Sequence, residues 1–208
     1  MLNPNKSPKR CANISRIGKN KTMKPQQPLL QTQRLQMRAF TPSDAFALVG
    51  IANDRAIADT TISVPHPYTL DYAQTWITQC NQEWEEGQSA PFALELKDEK
   101  KVIGMNALRH IDREHAQAEL ACWVSKNWWG QGFATEAGEA MIRFGFETLN
   151  LNRIYAFYMA RNPASGKVLT RIGLKQEGIL RQRVRKWGIF EDVVALAILK
   201  EDWENNSQ

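Results

Sequence analysis

The chain has 208 residues, 43% hydrophobic and 24% charged, a balance that excludes wholesale disorder in a length too short for two large catalytic domains. Twelve glycines and nine prolines exclude a collagen-like chain, so one globular domain with a sizeable core is expected, alone or with a tail. The formal charge of +5 suggests a basic protein, yet residues 1–30 carry seven Lys and Arg and no acid, while residues 31–208 hold 20 basic and 22 acidic side chains.

The expected organisation is a basic tail over residues 1–30, a domain over 31–203 and a short polar C-terminus over 204–208. The opening segment lacks the apolar run of a secretory signal, and no later run approaches a membrane-spanning length. A soluble, cytoplasmic protein follows as an expectation. For the tail, an organelle-targeting segment, an RNA-touching arm and a plain extension all remain open. An internal start at Met23 would leave only Lys24 of its seven charges. With Cys11 in the tail, only Cys80 and Cys122 remain in the body, which fits a reducing compartment better than a disulfide framework. His66, His110 and His115 lie apart from any close cysteine pair, so no metal is expected.

In chain order, Leu35, Met37 and Ala39 alternate with Arg34, Gln36 and Arg38, the period of a half-buried strand. Thr41-Pro42-Ser43-Asp44 reads as a helix start, with Thr41 as N-cap, and the helix runs to about Asn53. The segment TTISVPHPY is read as a connection. A second helix follows through Leu70, Ala73, Trp76, Ile77 and Cys80 and ends near Gly87. The segments PFALEL, KVIGMNALRH and AQAELACWV are read as strands of a meander. Gly130 and Gly132 then introduce a helix whose stripe is Ala137, Met141 and Phe144. RIYAFYMA is read as a strand, NPASGKVLTRIG as a helix weakened by Gly166, and LKQEGILRQRVR and GIFEDVVALAIL as two final strands. The pattern describes a mixed α/β sheet covered by helices.

Chemistry concentrates in AELACWVSKNWWGQGFATEAGEAMIRFG. Glycines on either side of Gln131 let the backbone approach a ligand, and the helix start after them can direct free amides at phosphate oxygens. The segment is neither a Walker loop nor a full dinucleotide fingerprint, and a plain structural turn is the competing reading. RQRVRK brings four basic side chains, Arg181, Arg183, Arg185 and Lys186, which fit either phosphate contact or a solvated strand face. RNPASG lacks a nucleophile elbow, and Cys122, inside ELACWV, reads as a packing residue rather than a nucleophile.

The run WWGQGFATEA, together with TQRLQMRAFTPSD, RNPASGKVLTRIGLKQEG and WGIFEDVVALAIL, resembles the Gcn5-related N-acetyltransferase superfamily, especially the branch that acetylates ribosomal-protein N-termini. The resemblance spans roughly residues 31–200. It implies an acyl-CoA N-acyltransferase-like fold, a mixed, splayed central sheet with flanking helices, and acetyl-coenzyme A as donor, with no metal. The acceptor it implies is a primary amine, such as the N-terminus of a ribosomal protein, with small amines and polyamines as alternatives. A noncatalytic coenzyme A-binding or RNA-associated domain is the contrasting class, and the chain would act as a monomer or homodimer.

By the same resemblance, Trp129, Gly130, Gln131, Gly132, Phe133 and Ala134 form the pyrophosphate loop, although Trp129 stands where the superfamily has Gln or Arg. Cys122, Trp123 and Val124 align the pantetheine and acetyl group through their backbone, and Asn162 contacts pantetheine or else only caps its helix. Glu119 is the leading general base and is otherwise a solvent-facing carboxylate, with Glu136 ranked behind it. Leu169 occupies the place of the superfamily's acid tyrosine, so Ser165, water or Tyr158 is left to protonate the leaving sulfur. Loops near residues 60–70 and 183–190 are expected to select the acceptor.

Overall fold

The computed structural model describes residues 26–206. Of the expected tail only residues 26–30 are described: Gln27 donates to the Pro91 carbonyl at 2.6 Å, and Leu30 packs on the core. The tail readings and the start at Met23 lie outside the described residues.

Eight strands form one sheet: β1 (Leu30–Gln31), β2 (Leu35–Arg38), β3 (Ala90–Leu96), β4 (Val102–Asp112), β5 (Gln117–Val124), β6 (Arg153–Met159), β7 (Lys175–Lys186) and β8 (Ile189–Leu199). Their order is β1-β2-β3-β4-β5-β6-β8-β7. Every pairing is antiparallel except β5 with β6, which is parallel and spans only Gln117–Glu119 against Arg153–Tyr155. Beyond Glu119 and Tyr155 these two strands share no ladder, while β5 stays paired to β4 as far as Val124. The sheet therefore splays at its middle.

Among the described residues six α-helices cover it: α1 (Asp44–Ala52), α2 (Arg55–Thr60), α3 (Leu70–Glu85), α4 (Phe133–Arg143), α5 (Pro163–Arg171) and α6 (Lys200–Asn206). All seven residues of β3 are buried, because both of its faces are covered. Ala93, Met105 and Ala107 pack with Leu48, Ile57, Ala73 and Ile77 of α1–α3. On the opposite face Phe92, Leu94 and Leu108 pack with Phe133, Ala137, Met141 and Ile142 of α4. Alternation along β3 and β4 thus sends successive side chains to two cores, and each large apolar side chain buried there contributes about 1.5–3 kcal/mol.

Several local expectations are revised. The first helix starts at Asp44, not at a Thr41 cap, and Ser43 at its N-cap makes no side-chain cap bond. Instead the Asp44 carboxylate accepts from the Thr41 backbone at 2.7 Å and from two Arg38 nitrogens. An arginine in the preceding strand recruited the acid inward. Between the expected helix end near Asn53 and the connection from Thr60 lies a further helix, α2, capped by Asp54 accepting from the Ala56 amide at 2.8 Å. The helix begun at Phe133 gives way at Phe144–Thr148 to a wider π-turn, which turns both Phe144 and Phe146 into the core. The final helix α6 runs through residue 203, the expected end of the domain.

Candidate functional site

At the splay lies a cleft of about 1080 Å³. One of its rims is built almost entirely of backbone. After β5, a short 3-10 turn over Lys126–Trp128 leads to Gly130 at φ +75° and Gly132 at φ +84°, and α4 begins. The left-handed angles explain both glycines. Gly132 offers α4 no side-chain cap, and the first helical bond runs from the Glu136 amide to the Gly132 carbonyl at 3.0 Å. Among the described residues the amides of Phe133, Ala134 and Thr135 therefore precede the helical ladder and have no side-chain cap. Free amides at a helix start are groups of the kind that suit phosphate oxygens.

The turn is held from outside. Arg34 donates to the Gln131 carbonyl at 2.9 Å, lies 4.0 Å above the Phe133 ring, and pairs with Glu136 at 2.7 Å. Glu136 also accepts from the Thr32 hydroxyl at 2.5 Å and the Arg34 amide at 2.7 Å. Burial pushes the Glu136 carboxyl up, but these bonds outweigh it and hold the group below its ordinary value. Its oxygens are committed to the β1–β2 turn, so the structure assigns it to bracing and not to base chemistry.

The second rim is assembled from distant side chains. One stripe of α3, Tyr72, Trp76, Gln79 and Glu83, lines it, facing Met105, Arg109 and Ile111 of β4. Thr60–Val64, Pro65 and Tyr68 close one end. At the vertex, Glu119 accepts from Arg109 at 2.6 Å through Oε1, and its Oε2 lies 3.7 Å from His110 Nε2. Sequence reading missed Arg109 and His110. The hairpin register that sets Arg109 opposite Glu119 was the available signal.

Of the other expected residues, Cys122, Trp123, Val124, Trp129, Gly130, Gly132, Phe133, Ala134, Asn162 and Ser165 line the cleft. Gln131 is not among the lining residues; its amide group donates to the Asn127 carbonyl at 3.1 Å. The Trp129 indole donates to the Val124 carbonyl at 2.7 Å, so this tryptophan fastens the loop to the end of β5. Asn162 caps α5, accepting from the Ser165 amide at 3.3 Å, and donates to the Thr60 carbonyl at 3.1 Å. Burial pushes the Cys122 thiol up, which favours its protonated form.

Tyr158 lines the cleft, and a Cβ on Gly166 would come within 2.6 Å of its ring. The glycine that weakens α5 by propensity makes room for that ring. Leu169, in the tyrosine's expected place, is buried. The loop expected to select the acceptor near 60–70 does line the cleft, whereas no residue of 183–190 does. Arg181, Arg183 and Arg185 are exposed, Arg183 lying 5.0 Å over the Phe157 ring, but Lys186 is buried. The four do not form one solvated face. Among the described residues no group of three or more His, Cys, Asp or Glu could hold a metal, and no helix is long and apolar enough to cross a membrane.

A parallel pair that parts above three residues, with a glycine turn and a bare helix start on its flank, is an arrangement suited to an acyl-coenzyme A acyltransferase. Residues 34–175 match the family described as "Acetyltransferase (GNAT) domain", and the chain belongs to that family. It is an acetyl-coenzyme A-dependent N-acetyltransferase. It is 30% identical to the [Ribosomal protein uS5]-alanine N-acetyltransferase of Escherichia coli (strain K12), over 84% of this chain and 92% of that protein. It is 24% identical to the spermidine N(1)-acetyltransferase of Vibrio cholerae, over 84% of this chain and 98% of that protein. A crystal structure described as a probable acetyltransferase superposes with a TM-score of 0.78 at 27% identity, covering 84% of this chain and 98% of the other.

Proposed function

We propose that the protein acetylates the N-terminal amine of a protein, such as a ribosomal protein, by direct attack on the donor thioester. The vertex carries this reading: a carboxylate in contact with a histidine at the base of a cleft whose other flank is a bare helix start. The uS5-alanine acetyltransferase relative supports a protein acceptor. Acetyl-coenzyme A supplies an acetyl group already activated as a thioester.

The residues present fit that donor. The amides of Phe133, Ala134 and Thr135, reached through Gly130 and Gly132, would hold the pyrophosphate. The backbone of Cys122, Trp123 and Val124, on the β5 edge that no strand covers, would hold the pantetheine arm, beside Asn162. Trp129 takes the Val124 carbonyl, so the carbonyl and amide groups before it carry that alignment. The acceptor enters from the side of α3 and Thr60–Tyr68.

An amine attacks only after losing its ammonium proton. Glu119 takes that proton on Oε2, the oxygen Arg109 does not bond, directly or through water. His110, whose side chain is 70% exposed, then gives the proton a way to solvent. Ser165, at the first turn of α5 on the cleft wall, is the chain's own donor toward the departing sulfur. Holding both reactants in the cleft reduces the entropy lost at the transition state.

A polyamine acceptor is the second reading, favoured by Glu83 on the α3 wall and by the spermidine-acetylating relative. The deciding experiment is a mass-resolved transfer assay with acetyl-coenzyme A against N-terminal peptides, polyamines and small amines. A one-acetyl mass gain at a peptide α-amine is expected. Transfer to spermidine with none to any peptide overturns the protein acceptor.

A further inference from the structure

The half-sheets β1–β5 and β6–β8 are joined by three parallel pairs and then separate. They are rejoined across the cleft by side chains. Arg161 donates to the Asp59 carbonyl at 2.8 Å, and Asn162 to the Thr60 carbonyl at 3.1 Å. From the β7–β8 hairpin, Lys186 at the end of β7 donates to the Val64 carbonyl at 3.0 Å, and the indole of Trp187 in the turn donates to Asp59 Oδ1 at 2.8 Å. All four end on residues 59–64, the end of α2 and the segment that follows it, which from Thr60 onward forms the end wall of the cleft.

Lys186 is the most informative of these. Its residue is only 8% exposed, and the Val64 carbonyl is the hydrogen-bond acceptor its ammonium reaches. Burying an ammonium with so few partners is costly, and a methionine would fill similar space without that cost. Packing alone therefore does not account for a lysine here. Trp187 is 44% exposed, yet it is fixed by Asp59, with Arg55 5.5 Å and Lys186 5.0 Å from its ring and His66 edge-on at 6.3 Å. Neither residue lines the cleft. Their effect passes through the wall they hold.

We propose that Lys186 and Trp187 are positioning residues for the acceptor, fixing Asp59–Val64 so that the wall presents one shape to the incoming amine. This rests on reading the α3 side of the cleft as the acceptor side. The hairpin of one half-sheet thereby sets acceptor affinity in a pocket built mostly by the other.

The test compares Lys186→Met, Lys186→Arg and Trp187→Phe with the parent enzyme. Acetyl-coenzyme A affinity is measured by calorimetry, acceptor kinetics with an alanine-terminated peptide and with spermidine, and amide hydrogen exchange over residues 59–66. For Lys186→Met, acceptor KM should rise about tenfold with kcat within about threefold and acetyl-coenzyme A affinity unchanged. Exchange over 59–66 should quicken at least about tenfold. Lys186→Arg, which keeps the cationic donor, should return KM to within about threefold of the parent, and Trp187→Phe should raise it about threefold.

Faster exchange with an unchanged acceptor KM overturns the proposal and leaves a brace for stability. A parallel loss of acetyl-coenzyme A affinity overturns it as well, as a general loosening of the cleft. Should Lys186→Met fail to fold, Trp187→Phe decides by the same readings, since the position is partly exposed and keeps an aromatic ring. A parent that acetylates neither probe counts against the acceptor reading, and the clamp then falls if exchange over 59–66 is unchanged in both variants.

Discussion

The two rims of the cleft are built by opposite means. The glycine rim is contiguous in sequence, presents backbone, and is braced by one ion pair, Arg34 with Glu136. The acceptor rim draws on α3, β4, β5 and the segment after α2, and presents side chains. Backbone amides at a helix start suit a fixed, shared chemistry such as a pyrophosphate, whereas a wall of side chains can change by substitution without disturbing the sheet. On the proposed reading, a constant donor and a variable acceptor would thus be served by separable surfaces.

The strongest attempt to break this division is Glu119→Gln. Turnover should fall about 100-fold, the lower part of the range for a general base, with acetyl-coenzyme A affinity unchanged. Single-turnover transfer and calorimetry measure the two. A loss of donor affinity equal to the loss of turnover would mean that the rims are one site. Some of the effect will come from Arg109, whose ion-pair partner is neutralised.

Gly132→Val should give the converse pattern. A β-branched residue at φ +84° costs roughly 1–2 kcal/mol in backbone strain, and its Cβ would lie 3.4 Å from the Arg34 guanidinium. Donor affinity should drop about tenfold or more, with acceptor KM at saturating donor within about twofold. Retention of parent affinity in calorimetry would remove the cradle from the glycine turn.

Glu136→Gln sharpens the comparison by testing the brace alone. It should cost about 1–3 kcal/mol in denaturant unfolding, through weakened bonds from Arg34 and Thr32. The sign of its pH dependence follows from the lowered carboxyl. Its contribution is fully present above the ordinary value of 4.5 and is lost as pH falls from there through the lower folded value. The stability gap between parent and variant should therefore narrow in that acid window, and a gap independent of pH would contradict the assigned charge.

The smallest effect is expected at the seam between the rims. Gly166→Ala gains helix propensity but presses a Cβ on the Tyr158 ring, and a net loss of about 1 kcal/mol in thermal unfolding is expected. A stabilised variant would show that the ring moves aside freely.

Legibility in the sequence follows the same line as the two rims. WWGQGFATEA announced the glycine turn, since both glycines and the helix they open are neighbours in the chain. The family resemblance singled out Glu119, but its partners Arg109 and His110 sit across a hairpin, and a bulge there shifts the register between Arg109 and Asp112. The α3 wall was legible only in part: Trp76 belongs to the expected apolar stripe, whereas Tyr72, Gln79 and Glu83, which also line the cleft, lie outside it. Glu136 showed the reverse problem: a carboxylate in a first helical turn reads equally as base or as brace, and only the contacts from Thr32 and Arg34 decide it.

The sequence by itself determined the alternating strands, the positions of the main helices, the glycine turn and the separation of a basic tail from a slightly acidic body, because each depends on residues close together in the chain. Tertiary structure alone decided where β5 and β6 part, what Glu119 touches, and that Lys186 leaves its strand's exposed face to hold the wall at Val64. Those features depend on pairings between segments up to 122 residues apart. Local periodicity reports which face of an element is buried, not which distant element meets it.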